Sequence, residues 1–247
     1  NAVQECFTTL QALNFTADQI VKIAAHTGGS KNLNAVQECF ESLQSLNFTA
    51  NQIVKIAAHN GGYKNITAIQ KCLTSLQELN FTADQIVKIA ANIGGSKNLN
   101  AVKECFISLQ ALNFTADQIV KIAAHDGGSK NIKAVKECFN SLRALNITVE
   151  QIVKIVAHGG GSKNIYVVKE YFECLQALDL SADQIIKIVA HDGGSKNITA
   201  VQECFASLQA LNLSTDHIVK IAAHDGGSKN LNSVKECFTS LQALNFT

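Results

Sequence analysis

Seven short motifs carry the side chains most able to do chemistry. Each is a residue pair: His26-Thr27, His59-Asn60, Asn92-Ile93, His125-Asp126, His158-Gly159, His191-Asp192 and His224-Asp225. The first position is His everywhere except Asn92. An imidazole can donate, accept, titrate or ligate a metal. Zinc needs several ligands gathered at one point. One His per motif, with no Cys beside it, does not supply them, so neither metal nor cofactor is expected. The second position changes its hydrogen-bonding character from motif to motif. Asp126, Asp192 and Asp225 only accept, Asn60 donates and accepts, and Thr27 offers a hydroxyl and a methyl. Ile93 is apolar and Gly159 is bare. A varied group on a constant frame suits discrimination between similar ligands. Catalysis needs a polar group unique to one place, and none stands out, so no enzyme and no small-molecule substrate are expected.

Two glycines follow every pair: Gly28-Gly29, Gly61-Gly62, Gly94-Gly95, Gly127-Gly128, Gly160-Gly161, Gly193-Gly194 and Gly226-Gly227. A lysine stands two places further on, at Lys31, Lys64, Lys97, Lys130, Lys163, Lys196 and Lys229. Read as a helix start, each such segment presents free amides, which attract anions. Gly-Gly-Ser-Lys lacks the spacing of a nucleotide-binding P-loop. Lys22, Lys55, Lys88, Lys121, Lys154, Lys187 and Lys220 form a second ladder. Most acids, such as Asp18 and Glu38, fall at other phases. A chain of net charge +1 can therefore still carry a basic stripe. That balance excludes a strongly basic arm or a polyacidic tail.

These motifs recur because the chain is an internal repeat. The segment opening at Phe15 returns at Phe48, Phe81, Phe114, Ile147, Leu180 and Leu213, without insertion. Residues 1–14 match the second half of a unit. Full units span 15–47, 48–80, 81–113, 114–146, 147–179, 180–212 and 213–245, and 246–247 open another. No linker or composition shift divides them, so a single array over 1–247 is expected. Within a unit, Thr16-Ala-Asp-Gln19 is a capping box that starts a first helix, with Phe15 and Ile20 as its hydrophobic staple. Gly28-Gly29 ends that helix. A second helix is predicted from about Ser30 or Lys31 to about Leu46, with Leu33, Val36, Cys39, Phe40, Leu43 and Leu46 on its apolar face. The absence of proline fits an unbroken second helix. One such hairpin cannot bury both of its faces, whereas stacked hairpins can, so the fold class is an all-α solenoid. Cysteines share one phase of the second helix, except Cys174, and read as small buried hydrophobes, too far apart between units for disulfides. That points to a reducing compartment. No apolar run reaches the ~18–20 residues of a membrane span. A start at Asn1 inside a helical pattern suggests a piece of a longer protein.

The repeated unit, with its aromatic or aliphatic start, Thr or Ser, Gln-Ile-Val-Lys-Ile-Ala, variable pair and Gly-Gly, resembles the repeat of the transcription activator-like (TAL) effector family. The resemblance covers the chain from end to end. It implies a right-handed superhelix that binds double-stranded DNA in the major groove as a monomer, one base per repeat. It implies that Thr27, Asn60, Ile93, Asp126, Gly159, Asp192 and Asp225 face the bases. His26, His59, Asn92, His125, His158, His191 and His224 would brace the loops, with a ring nitrogen reaching a carbonyl about one turn back. The glycine pairs and the seven loop lysines would meet phosphates. An intracellular, DNA-associated location follows, in the bacterial cytoplasm or in a host nucleus.

The physics of that arrangement is consistent. Packed helices lie ~8–10 Å apart, whereas stacked base pairs rise only ~3.4 Å. A base-pair step also rotates by roughly 36°. On a path of about 15 Å radius that rotation sweeps an arc close to the helix spacing. Under this reading the three Asp accept from the cytosine amino group, Ile93 suits adenine, and Gly159 leaves room for the thymine methyl. Asn60 donates to a purine N7, with G favoured. Thr27 is open between a purine and thymine, with purine preferred. The expected read strand is 5′-(purine)GACTCC-3′. The competing reading is a protein-interaction solenoid, which would vary its helix surfaces more than its loops. The unit departs from the family in carrying Ser-Lys after the glycines where Lys-Gln is usual, and in lacking the second-helix proline.

Overall fold

A computed structural model describes residues 2–124, 127–157, 160–191, 193–224 and 226–243. Among them every regular element is a helix. The chain divides into two compact units, Asn1–Lys133 and Ala134–Thr247. The first unit opens with Ala2–Ala12. It then alternates short first helices, Ala17–Ala24, Ala50–Ala57, Ala83–Ala90 and Ala116–Ala123, with longer second helices. Those are Gly29–Glu38 with Phe40–Ser45, Gly62–Glu78, and Gly95–Glu104 with Phe106–Ala111. The helix Gly128–Ala144 spans the division. The second unit repeats the alternation with Val149–Val156, Gly161–Ala177, Ala182–Val189, Gly194–Ala210, Thr215–Ala222 and Gly227–Ala243.

Each first helix is only eight residues long. Helices below ~12–15 residues are marginal alone in water. Two things hold these. Their starts carry the expected reciprocal caps at Thr16, Thr49, Thr82, Thr115, Thr148 and Ser181. At Ser214 the side chain still accepts from the His217 amide, but no glutamine reaches back. The capping glutamines also reach the next repeat: the Gln52 side-chain amide donates to Asp84 at 2.6 Å and Gln151 to Asp183 at 2.8 Å. Burial does the rest. Ile53 and Ile56 of one hairpin, and Ile66, Ile69, Cys72 and Leu76 of its second helix, are all within 1% of complete burial. Each large aliphatic side chain so buried contributes about 1.5–3 kcal/mol. Stacking supplies much of that cover. Val21, preceded by a half-repeat with no first helix, is 59% exposed, while its counterpart Val54 is 4% exposed.

The second helices end on a left-handed residue, Asn47 at φ 57° and its equivalents Asn80, Asn113, Asn146, Asp179 and Asn212. Asn and Asp tolerate this region because a short polar side chain bonds locally. Phe48 then donates back to the Leu43 carbonyl and Asn47 to that of Gln44, which closes a Schellman cap. The second helix starts at the second glycine, one or two residues earlier than the sequence suggests. It is unbroken in most repeats but kinks at Cys39 and Cys105, where ψ flattens to 5° and 3°. No proline causes this. Both kinks keep an i→i−4 bond, Cys39 to Ala35 and Cys105 to Ala101.

The shared-phase cysteines are buried free thiols, with Cys237 an exposed exception beside the off-phase Cys174. Several donate across the repeat boundary: Cys6 to Asn34, Cys39 to Gln70 and Cys204 to Asn232. Burial pushes the Cys72 thiol from 9.0 up to about 11. An unfolded thiol loses its proton first, so this contribution is intact below pH 9 and declines as pH climbs towards 11. Urea midpoints measured from pH 8 to 11 should therefore fall more steeply in the native chain than in Cys72→Ala. At pH 8, thiol labelling of the folded chain should modify Cys174 and Cys237 first.

Candidate nucleic-acid interface

The variable pairs lie in the tight turns between first and second helices. In the repeat 48–80 the first helix ends at Ala57, the His59 amide still bonds the Ile56 carbonyl, and the second helix begins at Gly62. Two glycines are needed for two different reasons. Gly61 is left-handed, φ 77°, which glycine adopts freely. Gly62 lies so close to the end of the first helix that a Cβ would stand 1.9 Å from the Ala57 carbonyl oxygen. The same approach recurs at Gly95, Gly128, Gly194 and Gly227. Gly160, in the repeat with a third glycine at Gly159, is right-handed instead.

This turn projects its second pair residue outward. Thr27 and Asn60 are exposed, and Ile93 is 72% exposed, an apolar side chain at a loop tip. Asp126, Gly159, Asp192, Asp225, His125 and His158 lie outside the described residues. At the other pair position, Asn92 donates its side-chain amide to the Lys88 carbonyl, one turn back. His59 turns Nδ1 into a buried spot where no hydrogen-bond partner meets it. His26 and His224 are exposed and His191 is half-buried.

All seven loop lysines are exposed, as are the seven on the first helices. Among the described residues none of them forms an ion pair; the pair that does form joins Lys133 to Glu104 at 2.8 Å. Tyr63, standing where the other repeats have Ser, gathers two of the loop lysines. The ammonium groups of Lys31 and Lys64 lie 5.8 and 5.7 Å from its ring centre, within reach of a cation–π attraction. The first-helix lysines Lys22 and Lys55 border a shallow groove with Asp18, Gln19, Asn51 and Val54.

The backbone amides are less free than the sequence suggests. The second glycine donates to the carbonyl of the first pair residue: Gly62 to His59 at 2.8 Å, Gly95 to Asn92 and Gly194 to His191, both at 2.9 Å. The next amide is also taken, by an asparagine of the preceding repeat. Tyr63 N donates to Asn32 Oδ1 at 3.0 Å, Ser96 N to Asn65 at 2.9 Å and Ser129 N to Asn98 at 2.8 Å. Ser195 N donates to Asn164 at 3.0 Å and Ser228 N to Asn197 at 2.8 Å. The anion site anticipated on a run of open amides narrows to the first glycine and the lysine side chain. These asparagines are no more than 2% exposed. Sequence reasoning passed over them, although an Asn follows the loop lysine in every unit.

Three stretches of the chain, residues 2–26, 27–59 and 94–125, match the TAL effector repeat. Over those stretches the chain is similar to that repeat. Repeats of this family bind double-stranded DNA, and the family is not enzymatic. No curated protein matches the sequence. Among the described residues no three His, Cys, Asp or Glu side chains converge as a metal site, and no helix is long and apolar enough to cross a membrane. Because the turn has no room at its second glycine, Gly62→Ala should cost about 1–3 kcal/mol through overpacking. Urea denaturation of the purified chain measures this, with Ser96→Ala, at a half-buried position, as a near-neutral reference.

Proposed function

We propose that this repeat array is a sequence-specific binder of double-stranded DNA, reading the major groove with one loop per base. The observation that carries the reading is the outward display of three different side chains at the described loop tips, Thr27, Asn60 and Ile93, over a frame that hardly changes. Ile93 is the sharpest instance: an aliphatic group in water gains most by leaving it, and an apolar contact with a base edge allows that. Thr27, Asn60, Ile93, Asp126, Gly159, Asp192 and Asp225 face successive bases, and the read strand is 5′-(purine)GACTCC-3′. Asp126, Asp192 and Asp225 are acceptors only and take the N4 amino donor of cytosine.

Phosphates meet Lys31, Lys64, Lys97, Lys130, Lys163, Lys196 and Lys229, together with the amide of the first glycine in each pair. Histidine, or Asn92, steadies the loop beneath its reader. The interaction supplies its own solubility logic: a near-neutral protein binds a polyanion through lysines held in register, with little excess charge elsewhere.

A gel shift with the proposed duplex against a scrambled one tests the reading directly, and equal binding would refute it. Asp192→Asn should relax the choice of C at its position by about 1–3 kcal/mol of discrimination. Affinity should also fall steeply with salt. If every loop lysine neutralises a phosphate, log K against log salt has a slope of about −6; a flat response in fluorescence anisotropy would rule out DNA as the ligand.

A further inference from the structure

We propose that the buried asparagines Asn32 and Asn65 are positioning residues for base reading, each tying two neighbouring loops together so that adjacent bases are not read independently. The inference rests on the DNA reading above. Asn65 makes the case. Its Nδ2 donates to the Asn60 carbonyl at 3.4 Å, on the backbone of the residue that reads, and its Oδ1 accepts from Ser96 N at 2.9 Å, at the close of the loop that carries Ile93. One planar amide thus spans two consecutive reading loops. Asn32 repeats the bridge, from the Thr27 carbonyl at 3.3 Å to Tyr63 N at 3.0 Å.

The second unit uses the same side chain differently. Asn197 holds the His224 carbonyl at 3.1 Å and Ser228 N at 2.8 Å, the two ends of a single loop. Asn164 likewise holds the Val189 carbonyl and Ser195 N. In all four, Oδ1 accepts from the amide that closes the following loop. A pure packing role would be met by an apolar residue, without the cost of desolvating an amide. A pure helix cap needs only the acceptor. The second bond, to loop or loop-edge backbone, is what neither role explains. Because these asparagines are buried, losing the bond leaves a polar group unpaired at a cost.

Asn98 is the built-in contrast. Its Oδ1 accepts from Ser129 N at 2.8 Å, but its Nδ2 is buried without a partner. Asn98 therefore grips the following loop only, and leaves the Ile93 loop alone.

The test uses the full chain and duplexes carrying each of the four bases in turn at the positions assigned to Asn60 and Ile93, with affinities from fluorescence anisotropy. The native chain must first discriminate at both; equal binding to all duplexes sinks the DNA reading, and the tie with it. Given discrimination, Asn65→Ala should flatten it at both positions by about fivefold, the worth of one net hydrogen bond, with the salt slope unchanged. Asn98→Ala removes an equally buried amide and should leave both preferences as they were. Loss of thermal stability in both variants with no change in either preference, or an equal change from both, overturns the tie while leaving DNA binding intact. Should Asn65→Ala not fold, Asn65→Asp keeps the shape and the acceptor for Ser96 but lacks the donor. It should flatten the Asn60 position and spare the Ile93 position; retained preference at Asn60 overturns the proposal.

Discussion

A first helix of eight residues has almost no stability of its own, and everything else in this protein follows from how that deficit is met. The apolar side chains of one hairpin find cover only against the next, as the contrast between Val21 and Val54 makes plain. The repeats must therefore stack, with their phases aligned. Once they do, any residue type fixed at one place in the unit becomes a row. Rows of aliphatics become a core, and rows of lysine become an exposed ladder.

Polar groups join the stack in an ordered way. Capping glutamines reach forward along the first helices, thiols reach forward along the second, and buried asparagines reach forward at the turns. Each such bond runs from one repeat into its successor. A stack held by apolar contact alone could slide or twist with little penalty, since the hydrophobic effect has no direction. Buried hydrogen bonds have direction and are costly to leave unmade. They convert a pile of hairpins into a series with a defined step.

Much of this was legible in the residues. The period was exact to the residue, and Thr/Ser–Gln boxes located every first helix but the last, where His217 follows Ser214. The second helix's start was read a residue or two late, since Gly62 serves as a helix residue as well as a stop. The kinks at Cys39 and Cys105 had no sequence signal; the same residue type at Cys72 leaves its helix straight. Cys237 was assigned to the interior by phase but is exposed. Phase says which side a residue faces, not whether that side is covered. The amide after the second glycine looked open because its partner lies in the preceding repeat, 31 positions away.

By itself the sequence determined the period, the two-helix unit, the caps and the identity of the variable tip, because each of these depends on bonds among residues close along the chain. Only the tertiary structure decided which polar groups are spent internally. Whether an amide is free, or an asparagine buried, depends on what the adjoining hairpin places against it. That is a question of distance in space, and a repeated string of letters carries no record of it.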